Sequence, residues 1–425
     1  MINLLFLIFF LAVNGLVGAT RVELIHRNNP RLAEKWQIPE TNREKFTEFH
    51  RRDTLRHRMV SNRRMRLETA ASVALPMNAG ADFGVGEYFV HVTVGTPGQT
   101  FMLVADTGSD LTWMHFPCSS KMCKVDLSNL FSLSKCPTPL TPCAYDYRYL
   151  EGSSALGFFA NETISVGLTN GRRTNLNDVL IGCTESVRGP EGSGFKGADG
   201  VLGLGFTDHT FTAKATQRFG GKFSYCLVDH LSPQNVSNYM IFGPGKVDKA
   251  ACSRNLQRTN LLLGGSFGPF YGVNVSGISI GGVLLKIPSS AWDEKRGGGT
   301  IVESGTSLTF LTDPVYGPVT RELTKYTSKF GALPQDGGPF EFCFNSTRYD
   351  ESKMPPLQIH FVDGAVFSPP VKSYVLDVAP ETMCLGFVSA SWPGTSIIGN
   401  ILQQNHLWEF DLENRKLAFA PSSCT

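Results

Sequence analysis

Residues 104–110 read VADTGSD, and residues 301–307 read IVESGTS. In each stretch an acid follows apolar residues and precedes a Ser/Thr-Gly turn: Asp106 in the first, Glu303 in the second. A hydrophobic-hydrophobic-Gly element lies downstream of each acid, Val201-Leu202-Gly203 and Ile397-Ile398-Gly399. The interval from acid to glycine is 97 residues in one case and 96 in the other. Two matched elements in the same order at matched spacing predict two homologous lobes. A pseudo-twofold axis between them would bring the two turns together. Coincidence between short, common strings is the alternative, and the matching of both elements in order argues against it.

The rest of the chain suits that reading. At 425 residues it is too long for one ordinary domain core. It is 42% hydrophobic but only 18% charged, and rich in Gly, Pro and Phe, which suits a β-rich protein with many turns. Residues 86–113 alternate apolar and polar side chains around a turn at Gly95-Thr96-Pro97-Gly98, a hairpin pattern. Short strands are expected again at 179–183, 238–243, 271–280, 359–367 and 407–420. Helices are few. The strongest spans 313–330, with Asp313 as N-cap, Pro314 in the first turn, and Val315, Val319, Leu323, Tyr326 and Phe330 on one face. Residues 208–219 form a weaker candidate.

The N-terminal region has its own character. Residues 2–13, INLLFLIFFLAV, are apolar and uncharged, and small residues at Val17-Gly18-Ala19 suit cleavage after Ala19. This reads as a signal peptide at 1–19; the run is short for an uncleaved membrane anchor. Residues 20–70 hold 13 Lys/Arg against 7 Asp/Glu, leaving 26 against 30 elsewhere. A basic leader therefore precedes a mildly acidic body. Nucleic-acid binding and a plain solvated helix are two readings of its RRDTLRHRMVSNRRMR stretch (51–66). A propeptide docked on an acidic cleft fits a secreted chain best.

Ten cysteines behind a signal peptide imply disulfides. Zinc at the 118–143 group is disfavoured by the lack of companion His spacing. Asn161, Asn235, Asn274 and Asn345 are glycosylation sequons. No metal or other cofactor is called for, because two carboxylates across a symmetry axis suffice for amide hydrolysis. Carboxylates about 3 Å apart cannot both ionise, so they share a proton. The ionised one activates a water and the protonated one donates to the substrate carbonyl. Gly108 and Gly305 let the backbone approach closely, and Thr107 and Ser304 are placed to hydrogen-bond across the axis.

At this point the sequence resembles the pepsin-like aspartic peptidases, and within them the plant nepenthesin-type branch. The resemblance covers nearly all of 86–424. It rests on GEYFVHVTVGTP, DTGSDLTW, the Cys-rich insert 118–143, CAYDYRYLEGSSALGFFANET, GVLGLG, KFSYCL, YGVNVSGISIGG, SGTSLTFL, IIGNILQQN and FAPSSC in order. It implies a mainly β, bilobal fold of two pseudo-twofold-related barrel-like lobes. It divides the chain into a propeptide at 20–71, an N-terminal lobe at 72–246 and a C-terminal lobe at 247–425. Asp106 matches the first catalytic acid, and Thr107 and Ser304 match the interlocking hydroxyl residues. Thr306 completes the second turn, Tyr149 matches the flap tyrosine, and Trp113 matches the residue that steadies it. Cys343 is expected to pair with Cys384, and Cys226 with Cys424, leaving the other six to pair among themselves.

Three positions depart from the family pattern. Leu150 replaces a flap glycine, Phe116 replaces a common cysteine, and Glu303 stands where the family has Asp. The extra methylene lengthens the arm by about 1.5 Å. A misplacement of about 1 Å can cost on the order of 100-fold in rate. The expectation is a secreted monomeric aspartic endopeptidase, extracellular, apoplastic or vacuolar, acting on polypeptides and inhibited by its own propeptide. It has no nucleic-acid partner, and no membrane association after signal cleavage. The alternative is a weak or inactive binding protein on the same fold, similar to the plant xylanase inhibitors. A storage role is a third reading.

Overall fold

The alternating stretch after residue 86 folds as the hairpin its pattern predicts. The structure is a computed structural model that describes residues 20–26, 41–51, 53, 54, 57, 88–116, 118, 143–148, 154–168, 172–188, 198–208, 210–229, 238–243, 256–334 and 340–424. A leader strand, β1 (Thr20–His26), and a leader helix, α1 (residues 42–51, helical again at 53, 54 and 57), come first. The hairpin consists of β2 (Tyr88–Val94) and β3 (Gln99–Asp106). In β2 the Val90, Val92 and Val94 side chains are buried while His91 is exposed, the half-buried period of two. From Phe101 onward β3 is buried on both faces, because it runs through the middle of the lobe to deliver Asp106.

The first lobe continues with β4 (Thr112–Met114), β5 (Ala144–Arg148), β6 (Ser154–Gly167), β7 (Arg173–Arg188) and β8 (Gly200–Gly203). Then come α2 (Phe211–Phe219), β9 (Lys222–Cys226) and β10 (Asn238–Phe242). Thr210 caps α2, its hydroxyl accepting from Ala213 N, and Gly220 ends the helix in the left-handed region. The second lobe opens with β11 (Gln257–Leu262), β12 (Tyr271–Val273), β13 (Val275–Ile280), β14 (Val283–Leu284), β15 (Thr300–Val302) and β16 (Thr309–Thr312). Helix α3 (Asp313–Thr327) follows. After it come β17 (Cys343–Asn345), β18 (Leu357–Phe361), β19 (Val366–Phe367), β20 (Val375–Ala379), β21 (Thr382–Leu385), β22 (Phe387–Ala390) and β23 (Ser396–Ile398). The short α4 (Asn400–Gln403), β24 (His406–Asp411) and β25 (Lys416–Pro421) complete the chain.

Strand pairing makes the twofold relation explicit. In the first lobe β3 runs parallel to β8, β8 antiparallel to β4, and β4 parallel to β7. In the second, β15, β23, β16 and β22 repeat those pairings with the same senses. The equivalence extends outward: β1 pairs with β10 and β2 as β11 pairs with β25 and β12. At the axis β9 pairs with β24, setting Phe223 against Phe410 and Tyr225 against Trp408. The two Phe rings stack at 4.6 Å between centroids, only 2° from parallel. Together β1, β10, β9, β24, β25 and β11 form one continuous sheet under both lobes. The expected mainly β, bilobal architecture is therefore present.

Gly203 and Gly399 close the two downstream elements for the same steric reason. A Cβ on Gly203 would sit 2.7 Å from the Asp110 carbonyl carbon, and one on Gly399 would sit 2.2 Å from the Leu308 carbonyl oxygen. Only glycine lets strands β8 and β23 lie that close behind the acid-bearing turns. Helix α3 starts one residue earlier than its sequence suggests. Thr312 is the cap residue and Asp313 the first helical residue, with Val315, Val319 and Leu323 buried as expected. The Asp313 carboxylate instead accepts from Ser389 Oγ at 2.9 Å, tying the helix to β22.

Cys226 bonds Cys424, joining β9 to the C-terminal segment, and Cys343 bonds Cys384 across β17 and β21. Cys118 bonds Cys183, and Cys143 is also disulfide-bonded. Among the described residues no helix is long and apolar enough to cross a membrane. Residues 1–19, the 71/72 and 246/247 boundaries, Tyr149, Leu150 and Asn235 lie outside the described residues. Asn161 is exposed on β6, while Asn274 and Asn345 are half-buried.

Candidate active site

Each acid is delivered by the end of a buried strand. Asp106 is the last residue of β3, paired with Gly203 of β8, and Glu303 directly follows β15. Both are sealed, at 0% and 1% exposure. Reciprocal hydrogen bonds join the turns. Thr107 N donates to Ser304 Oγ at 3.2 Å, and Ser304 N donates to Thr107 Oγ1 at 2.8 Å. Ser304 Oγ also donates to Ala105 O at 3.2 Å. Since each amide finds its acceptor on the opposite lobe, the turns cannot part without leaving buried donors unmet. The sequence thus brings Asp106, Thr107, Gly108, Glu303, Ser304, Gly305 and Thr306 into one buried neighbourhood at the axis.

The carboxylates are held differently. Gly108 N donates to Asp106 Oδ1 at 2.8 Å, within the first turn. Glu303 Oε2 accepts from Thr306 Oγ1 at 2.7 Å. Ser109 occupies the place in the first turn that Thr306 holds in the second, yet its buried hydroxyl makes no hydrogen bond among the described residues. The backbone carbonyls differ as well. Asp106 O accepts from the backbone of Leu204 at 2.8 Å, whereas Glu303 O accepts from the side chain of Gln403, Nε2, at 3.0 Å. Gln403 was not singled out in the sequence, where it opens a polar stretch, Gln403-Gln404-Asn405-His406, between apolar segments.

Trp113 is buried on β4 in the apolar cluster that also holds Tyr145, Phe159 and Val201. Burial pushes the Tyr145 hydroxyl well above the ordinary tyrosine range, and that hydroxyl is bonded to Thr184 Oγ1 at 2.7 Å. Tyr225, on β9 of the same lobe, is also pushed well above its usual value, first by burial, then by Tyr271 and by the nearby Glu303. Among the described residues no cluster of His, Cys, Asp or Glu has the arrangement of a metal site.

The leader helix packs on the second lobe. Thr41 and Glu44 form a capping box at the start of α1, Glu44 N donating to Thr41 Oγ1 at 3.1 Å and Thr41 N to Glu44 Oε2 at 3.2 Å. Phe46, Phe49, Asp53 and His57 fall on one helical face and all are buried. Phe46 meets Phe340 edge-on at 5.4 Å, and His57 stacks on Phe310 at 5.1 Å. Asp53 Oδ2 accepts from Leu308 N at 2.6 Å, and His57 Nε2 donates to Thr395 O at 2.8 Å. Leu308 lies five residues beyond Glu303. The sequence pointed to the basic residues of the leader; Asp53 and His57 were missed because their partners lie hundreds of positions away.

Residues 88–244 match the family described as xylanase inhibitor N-terminal, and residues 270–421 the one described as xylanase inhibitor C-terminal. Aspartyl protease family protein 2 of Arabidopsis thaliana is 33% identical over 375 residues, covering 81% of this chain and 73% of that protein. Aspartic proteinase nepenthesin-1 of Nepenthes gracilis is 30% identical over 393 residues, covering 86% and 84%. Among solved structures, basic 7S globulin from soybean superposes with a TM-score of 0.63 at 19% identity, over 80% of this chain and 94% of that one. The structure of edgp superposes at 0.68 with 17% identity, over 96% and 95%.

Proposed function

Because the chain belongs to the pepsin-like aspartic protease family, we propose that it is an aspartic endopeptidase whose dyad is Asp106 and Glu303. The observation that carries the proposal is the reciprocal bonding of Thr107 and Ser304, which sets the two acid turns face to face. A water between the carboxylates is deprotonated by the ionised one and attacks the peptide carbonyl. The protonated one donates to the carbonyl oxygen, and the tetrahedral species collapses with the proton delivered to the leaving nitrogen. The chain needs no cofactor for this. Tyr149 closes over the substrate and Trp113 steadies it.

Residues 1–19 direct the chain into the secretory pathway, to the apoplast or a vacuole, where it acts as a glycosylated monomer. Residues 20–71 are the propeptide. Two buried Phe side chains, at about 2 kcal/mol each, together with Asp53 and His57, hold α1 on the second lobe against Leu308, Phe310, Phe340 and Thr395. The processed enzyme begins near Ser72.

A second reading is a binding protein that keeps the cleft but does not turn over. Glu303 favours it, since the longer arm disturbs a shared proton. The decisive experiment is digestion of a denatured protein at acid pH, with and without a peptide isostere bearing a hydroxyl at the scissile position. Cleavage that the isostere blocks supports the peptidase. An inert protein that nevertheless captures a partner through the cleft supports the second reading.

A further inference from the structure

Helix α4 is four residues long and fully buried, and two of its side chains are amides facing the turn of the second acid. Asn400 Nδ2 donates to Ser304 O at 2.9 Å, and Gln403 Nε2 donates to Glu303 O at 3.0 Å and to Ile398 O at 2.7 Å. Two consecutive carbonyls of the acid turn are therefore held by two side chains one helical turn apart. The Gln403 carboxamide is itself fixed from the other lobe, where Tyr225 Oη donates to Gln403 Oε1 at 2.5 Å. Trp408 Nε1 donates to the Gln403 backbone carbonyl at 2.9 Å. Gln403, Tyr225 and Trp408 are all at 0% exposure.

Among the described residues the first lobe holds its acid carbonyl by a backbone donor instead. Leu204 stands where Asn400 stands, and its backbone N–H supplies the bond to Asp106 O. In the second lobe the Asn400 backbone N–H goes instead to Thr306 O at 2.6 Å, leaving the Glu303 carbonyl to the side chain of Gln403. The turn with the longer acid is thus the one held by side-chain amides.

We propose that Asn400 and Gln403, with Tyr225 orienting Gln403 from the first lobe, are positioning residues that fix how far Glu303 projects toward Asp106. None of the three is a catalytic residue. They act on the backbone that carries the acid, so they govern the alignment of the dyad and leave substrate binding alone. This rests on the peptidase reading for its catalytic consequence, but the hold on the turn stands apart from it.

The test compares Tyr225→Phe, Asn400→Asp and Gln403→Met with the parent full-length chain. Two measurements are made: hydrogen exchange of the peptide covering 300–308, and steady-state kinetics on a peptide substrate across acid pH. Tyr225→Phe guards against a variant that merely fails to fold, since it removes one hydroxyl from an otherwise intact ring. The expected result is at least tenfold faster exchange confined to 300–308. With it, kcat falls at least tenfold while KM stays within about twofold, and the pH–rate profile moves. Unchanged exchange at 300–308 in all three variants overturns the clamp, as does faster exchange spread evenly over both lobes. Faster local exchange with kcat and pH profile unchanged in an active parent overturns the positioning role. A parent inert at every pH overturns the peptidase reading and with it that catalytic role, while exchange at 300–308 still decides whether the amides hold the turn.

Discussion

The turns at 104–110 and 301–307 share a frame and differ in what fills it. Each ends a buried strand or directly follows one, each is backed by a parallel strand with a glycine at or just after its end, and each offers an amide to the hydroxyl of the other. Within that frame, among the described residues, backbone donors reach the first acid: Gly108 N its carboxylate and Leu204 N its carbonyl. In the second turn, side chains take those places: Thr306 on the carboxylate, Gln403 and Asn400 on the Glu303 and Ser304 carbonyls. A backbone-held acid is fixed by the strand register itself, so its reach is fixed too. A side-chain-held acid sits where its partners put it, and substitution can retune it. The second turn is also the one that carries the longer acid, Glu303 where the first carries Asp106.

The largest test of this contrast removes the first acid. Asp106→Asn is expected to bring hydrolysis down to the level of an enzyme-free control, because no ionised group remains on the backbone-held side. Residual cleavage within tenfold of the parent would place the chemistry elsewhere. Next, Glu303→Asp is expected to raise kcat/KM at least about tenfold, near 1.4 kcal/mol of barrier, and to move the acid limb of the pH–rate profile. An unchanged and substantial rate would mean that the side-chain supports already accommodate the longer arm.

A matched pair sharpens the same point. Thr306→Val removes the hydroxyl bonded to Glu303 and is expected to lower kcat by about tenfold, or about 1.4 kcal/mol. Ser109→Ala removes its counterpart, which bonds nothing, and is expected to stay within about twofold. Equal losses would show that the two turns are supported alike. For the leader, Asp53→Ala strands the buried Leu308 N–H and is expected to weaken docking by about 1–3 kcal/mol, read as faster loss of residues 20–71 on acidification.

The smallest effect lies at the far side of the sheet. Lys222 sits 2.9 Å from Asp411 and 3.4 Å from Glu409. Burial alone would raise the Asp411 carboxyl, but hydrogen bonds from Asn414 and Lys222 outweigh it and hold the carboxyl below its ordinary value. A depressed acid stabilises the fold above its unfolded pKa, about 3.9, and loses that contribution as pH falls through the folded value. Lys222→Met is therefore expected to cost less than about 1 kcal/mol at pH 5 to 7, with the gap closing below pH about 4 in thermal melts.

Which features could be read from the sequence follows from how each signals itself. The hairpin at 88–106 and the buried face of α3 announce themselves by periodicity, and the two lobes by a repeated string at repeated spacing. The start of α3 was misplaced by one residue because Thr312 and Asp313 are both capping types in sequence, and only the strand exit decides between them. Asn400 and Gln403 carry no period, since α4 spans a single turn, and their targets lie about a hundred positions upstream. Asp53 and His57 were hidden by the basic residues around them. Net charge advertised the leader's surface, whereas the described anchoring contacts come from its buried face.

Strand β1 has a consequence for any form of the protein without its leader. It covers one rim of the continuous sheet, meeting β10 at five register positions from Thr20 opposite Phe242 to Leu24 opposite Asn238. Its twofold mate β11 covers the other rim and lies in the body of the chain. Excision of residues 20–71 would strip one rim and not the other, leaving a row of β10 peptide groups open to whatever extended segment arrives first. Such an excision would open an adhesive seam on one side only, and the solubility of a chain so cut would depend on how quickly a segment of its own, rather than a neighbour's, lay down along it.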